Sequence, residues 1–137
     1  MSSRHLAAAL CSCAAVLALS ACGASTSASK FKGAEHEAAQ RVADLQSDVA
    51  GSENSKICTN DLSATIVARL GGRKACETAV KHQLTQIDNP EATIEAVKLS
   101  GDGKSATATV KSINNGKSTR STVSLVKEGG GWKVSSP

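Results

Sequence analysis

Side chains able to do chemistry are few in this 137-residue chain, and most stand alone. The five cysteines come first. Cys58 and Cys76 could be joined as a disulfide or could serve as two thiol ligands. No Cys-x-x-Cys pair and no histidine accompanies them at ligand spacing, so a disulfide is the favoured reading and no metal is expected. Cys11-x-Cys13 has a ligand-like spacing but lies inside an Ala- and Leu-rich run. Gly101-x-Gly103-x-x-Ala106 matches a dinucleotide fingerprint, yet that motif has to open a helix, and here it opens Ala-Thr-Ala-Thr-Val, a strand pattern. It reads as a hairpin turn. His36 and His82 lie off the apolar stripes of their helices; His82 is about 200° around from Val80, which predicts a surface position. There are many serines but no Gly-x-Ser-x-Gly nucleophile elbow. Glu91, Glu95 and Asp102 surround the first strand and read as solvated, with a pocket-lining role for Glu95 as the alternative. Trp132 shares a face with Val134, so core packing is expected, with a ligand-stacking platform as the alternative. No catalytic residue and no cofactor is assigned.

These residues need positioning elements, and the chain divides cleanly. Residues 34–50 carry Ala38, Val42, Leu45 and Val49 as one apolar stripe, predicting a helix with Glu35 and Glu37 near its positive end and Gly51 as its stop. Residues 56–70 read as helical, with a break near Asn60 allowed, and Ile57, Leu62, Ile66 and Leu70 inward. Gly71-Gly72 ends this stretch. A third helix over residues 73–87 has the stripe Cys76, Val80, Leu84 and Ile87, and Asp88-Asn89-Pro90 stops it. From Thr93 the period changes to two. Strands are expected over residues 93–99, 105–113 and 118–127 and around Trp132, separated by Gly101-Asp102-Gly103, Asn114-Asn115-Gly116 and Gly129-Gly130-Gly131. Helices first and an antiparallel meander second define an α+β fold, three N-terminal helices on one face of a four-stranded sheet.

The start of the chain has a different character. Arg4 and His5 precede an apolar run over residues 6–19, too short for a confident span of about 20 residues, and Leu19-Ser20-Ala21-Cys22 ends it. This resembles the signal peptide and lipobox of bacterial lipoproteins. The resemblance implies that a diacylglyceryl group is attached to the Cys22 thiol and that the chain is cut between Ala21 and Cys22. It also implies residence on the extracytoplasmic face of the cell membrane, with the lipid on Cys22 as the link to the membrane. Two acyl chains suffice for stable attachment. The expected divisions are residues 1–21 as signal peptide, 22–33 as lipidated cysteine and flexible linker, and 34–137 as one domain. Cys11 and Cys13 leave with the signal, and Cys58 and Cys76 meet an oxidising setting in which a disulfide persists.

From Cys22 onward, 116 residues carry 15 Lys and Arg against 12 Asp and Glu. That balance is no footprint for nucleic acid, which calls for a strongly basic clustered face. Leu, Ile, Val and Phe make up only 21 of those residues, a thin core that a covalent staple would help.

The helices, the Cys58/Cys76 pair and the ending Leu125-Val126-Lys127-Glu128-Gly129-Gly130-Gly131-Trp132-Lys133-Val134 together resemble small actinobacterial lipoproteins of the nuclear-transport-factor-2-like superfamily, the cystatin-like cones. The resemblance implies a curved sheet wrapped around helices and a pocket in the cone. Some members of that superfamily are ketosteroid isomerases and polyketide cyclases, which use a carboxylate base and a tyrosine; this chain has no tyrosine. The expectation is therefore a non-catalytic module that binds an envelope protein or a small apolar ligand. A degenerate isomerase or cyclase and a purely structural envelope protein are the alternatives.

Overall fold

The computed structural model describes residues 27–87, 91–114 and 116–136. Its frame is one antiparallel sheet of β1 (Glu91–Leu99), β2 (Ser105–Asn114), β3 (Lys117–Glu128) and β4 (Gly131–Ser136), ordered β1-β2-β3-β4. Each strand follows its predecessor through a short turn, so the period-two pattern and the Gly-rich punctuation account for the whole meander. Between β3 and β4 the loop is Gly129-Gly130, with φ of 59° and 80°. Two successive residues at positive φ define the hairpin turn whose twist matches the strands, and glycine adopts it without a Cβ clash. The turn at Gly101-Asp102-Gly103 is likewise a hairpin, locked by Asp102 Oδ1 accepting from Lys104 N at 3.0 Å and from the Ser100 hydroxyl. Register shifts between Ile94 and Ala96 and between Ser124 and Leu125 insert bulges, which bend the strands that carry them.

One face of the sheet is covered. Ala92, Ile94 and Val97 from β1, Ala106, Ala108 and Val110 from β2, Leu125 from β3, and Trp132 and Val134 from β4 are all buried. Helix α1 (Gly33–Ala50) lies across them with Ala38, Ala39 and Val42 buried. Alanines on both sides let helix and sheet approach closely, so a few large side chains (Ile94, Leu125, Val134) fill what remains. The helix stops at Gly51 as expected, but the left-handed position falls one residue later. Gly51 keeps a right-handed φ of −81°, and Ser52 takes the left-handed position at φ 55°. Ser52 N donates to Val49 O and Glu53 N to Asp48 O, at 3.1 and 2.8 Å, the paired bonds that close a helix C-terminus.

The second helical stretch is broken, as the sequence allowed, but at Leu62 and Ser63 rather than at Asn60. Instead of a helix over residues 56–70, the chain forms a single turn α2 (Asn54–Lys56), a π-helical turn (Ile57–Asp61), two extended residues and then α3 (Ala64–Arg69). The π-turn closes with Leu62 N donating to Ile57 O at 3.0 Å, and its wider ring buries Ile57, Cys58 and Asp61 together. The break has a tertiary cause. Leu62 forms a parallel bridge to Val134 at the β4 edge, and Ser63 N donates to Val134 O at 2.8 Å. The buried Ser63 then caps α3, its Oγ accepting from Ile66 N at 3.3 Å. Leu70, expected inward, is 39% exposed because α3 stops before it. Helix α4 (Arg73–Leu84) is three residues shorter than expected, leaving Ile87 42% exposed; the Asp88-Asn89-Pro90 stop lies outside the described residues.

The chain before α1 also differs from a free linker. In the described part, residues 27–32, Ala28 is buried and Phe31 packs on the core. The first 26 residues, with Ala21 and Cys22, lie outside the described residues.

Cys58 and Cys76 form a disulfide with a Cα–Cα distance of 6.1 Å, joining the π-turn to α4. Cys76 is the one buried residue of α4, so little apolar burial holds that helix in place. Closing a loop of this length contributes about 3 kcal/mol in the chain-entropy account. The double variant Cys58→Ala, Cys76→Ala should therefore lose roughly that amount in urea unfolding; a loss below about 1 kcal/mol would show that α4 is held by other contacts.

Candidate functional site

Two features stand out where α1, the π-turn and β4 meet. The first is a buried ion pair. Asp61 ends the π-turn with no exposed surface, and Arg41 Nη1 from α1 donates to its Oδ1 at 2.8 Å. Arg41 also lies 3.6 Å from Asp44 Oδ2, one turn along α1. Asp61 Oδ2, Arg41 Nε and Trp132 Nε1 are buried without a protein hydrogen-bond partner, so this corner holds polar groups the protein itself does not satisfy. Burial pushes the Asp61 carboxyl up to about 6, the Arg41 hydrogen bond opposes that rise, and the neighbouring Asp48 adds to it. Above this corner His36, Gln40, Arg41 and Asp44 line a cleft of about 280 Å³ with Gly130, Gly131 and Trp132.

The second feature is an open cleft of about 440 Å³ over the disulfide, floored by Cys58 and Leu62 and walled by Ala64, Val67, Ala68 and Gly72. Its rim is polar. Arg73 joins Glu77 through Nε at 3.0 Å and Ser55 through Nη2 at 3.2 Å. Glu128 Oε2 accepts from Ala64 N at 2.9 Å, and Lys133 Nζ donates to the main-chain carbonyls of Thr59 and Asn60. These bonds tie the segment between α2 and α3 to β3 and β4, giving an apolar floor a fixed, charged edge. The cleft suits an apolar group with a polar end.

The residues singled out in the sequence fall in several places. Trp132 and Val134 are in the core, at 3% and 2% exposure, and Trp132 also forms one wall of the smaller cleft. Lys127 Nζ lies 5.4 Å from the Trp132 ring centroid. Glu95 is apart from both. It sits at the β1 bulge and accepts a two-pronged bond from Arg120, at 2.7 and 3.1 Å, which holds its carboxyl below the usual range. Glu91, Asp102 and His82 are exposed. His36 departs from the expected surface position: it is half-buried, and its Nδ1 lies 3.0 Å from the Ala28 carbonyl, which can only accept, so Nδ1 carries the proton. Among the described residues, no group of three or more His, Cys, Asp or Glu is placed to hold a metal ion, and no helix is long and apolar enough to cross a membrane.

Asp61 and Arg41 were not legible as a pair. Position 61 is four residues from Ile57 and so falls on the inward face, which was a readable signal, but the compensating cation comes from another helix.

No protein-family model matches the chain, and no curated protein matches it. Among solved structures, a de novo designed protein with a curved β-sheet is similar at 17% identity and a TM-score of 0.36. That match covers 46% of this chain and 58% of the designed one, so the chain spans little more than half of its length.

The Asp61 carboxyl gives a pH test. Its folded-state pKa lies above the unfolded value near 3.9, so between about pH 4 and pH 6 the folded chain holds a proton that the unfolded chain has released. Its contribution is therefore most favourable below pH 4 and is lost as pH rises through 6. An asparagine side chain at this position cannot ionise. Relative to the parent, Asp61→Asn should gain up to about 3 kcal/mol between pH 4 and pH 7, measured by urea unfolding. A difference that stays constant across that range would contradict the buried-acid assignment.

Proposed function

We propose that this chain is an extracytoplasmic lipoprotein, anchored through Cys22, whose domain is a non-catalytic binding module of the cystatin-like cone type. The observation that carries the anchor is Leu19-Ser20-Ala21-Cys22 at the end of a short apolar run preceded by Arg4. The Cys58–Cys76 disulfide supports it, since such bonds persist in oxidising compartments. The open apolar cleft over that disulfide supports the binding role, and its size and charged rim favour a small amphiphile or the apolar side chains of a partner segment.

A second reading, an enzyme of isomerase or cyclase type, draws support from Asp61, a buried carboxyl shifted toward neutrality. Against it, Oδ1 of Asp61 is held by Arg41, and Asp61 lines neither of the two clefts described above. The binding reading is preferred for that reason.

Cys22→Ser should move the protein from the membrane fraction to the medium; equal membrane retention of parent and variant would contradict the anchor. For the cleft, Ala68→Trp places an indole in the apolar space. It should weaken binding of an anilinonaphthalene sulfonate probe at least about tenfold, read by fluorescence titration. Unchanged probe affinity would remove the cleft from the account.

A further inference from the structure

The chain holds to the domain from Ala28 onward. Ala28 is buried, its carbonyl accepts from Phe31 N at 3.0 Å and meets His36 Nδ1 at 3.0 Å, and Lys30 Nζ donates to the main-chain carbonyl of Glu95 at 3.0 Å. Five residues, or six Cα–Cα steps, separate Cys22 from Ala28, a span of at most about 21 Å. A domain lipidated at Cys22 therefore keeps Ala28 within about that distance of the anchor, and Lys30, two residues on, bonds the β1 bulge.

That side is cationic. On the uncovered face of the sheet Lys111 stands directly opposite Arg120, and both Lys111 and Lys30 act on the Glu95 carboxylate that Arg120 already grips. Lys98 extends the patch along β1, opposite Thr107. Glu91, at the far start of β1, is the other carboxylate on this face of β1 and β2 among the described residues. Two cations facing each other across a strand pair repel, and the two carboxylates do not offset four cations. The neighbouring cross-strand pairs, Thr107 with Ser124 and Thr109 with Thr122, add hydroxyl donors.

We infer that Lys30, Lys98, Lys111 and Arg120 form a docking face for the anionic phospholipid headgroups of the bilayer that carries the anchor. The inference rests on the lipidation of Cys22 proposed above. Short attachment and charge complementarity act together: the tether raises the local lipid concentration, and each cation near an anionic surface strengthens contact roughly fivefold.

The test is lysine acylation footprinting, read by mass spectrometry, on the full lipidated protein reconstituted in vesicles. On vesicles containing about one-third phosphatidylglycerol, Lys98 and Lys111 should be acylated at least about fivefold more slowly than on pure phosphatidylcholine. Lys74 and Lys81 on α4 serve as the unaffected reference. About 0.5 M salt should abolish the difference, since it shortens the screening length to a few ångströms. Equal rates on the two lipids, or protection that salt does not relieve, would overturn the docking face while leaving the anchor intact. The same spectra report the mass of the N-terminal peptide; a Cys22 without lipid would overturn both proposals.

Discussion

The Cys58–Cys76 disulfide is the constraint on which the helical half depends. Helix α1 is held by its own burial against the sheet, but α4 contributes only Cys76 to the interior. Without the covalent bond, α4 would rest on surface contacts such as those of Ser55 with Glu77 and Arg73, which contribute little in water. The bond also fixes the π-turn whose buried side presents Cys58 to the cleft and Asp61 to Arg41. One cross-link thus sets both candidate features. Such a bond persists in oxidising compartments, the setting to which the proposed lipobox would deliver the chain.

The polar corner at Asp61 works in the opposite direction. A buried carboxyl paired to one cation is costly to keep ionised, and breaking such a pair is costlier still. Leu62 and Ser63 supply the counterweight by extending the sheet at the β4 edge, so main-chain pairing next to Asp61 fixes where its carboxyl is held. Packing around this corner is therefore decided by β4, the last strand of the chain, as much as by the helices.

Local signals account for what was legible in the sequence. The four strands followed from period-two alternation, and the turns from Gly101-Asp102-Gly103, Gly116 and Gly129-Gly130, because twist and positive φ act over a few residues. Cys58 and Cys76 were readable as a pair by elimination of metal partners. A break near Asn60 was readable, but its place at Leu62 was not, because the partner Val134 lies more than seventy residues on. Nor was Ser52 in the left-handed position, where glycine at 51 was the obvious candidate. The buried packing of Ala28 was hidden by its setting, a Ser- and Ala-rich stretch with no periodicity. That last difference bears on the proposed anchor, since it would shorten the chain available between a lipid on Cys22 and the domain.

The central claim, a disulfide-stapled domain held at a membrane by Cys22, is tested most directly by mass spectrometry of the protein isolated from its native membrane fraction under non-reducing conditions. The account predicts a mature chain that begins at Cys22, carries a diacylglyceryl thioether there, and yields Cys58 and Cys76 in one linked peptide pair. A mature N-terminus elsewhere, or an unmodified Cys22, would contradict it.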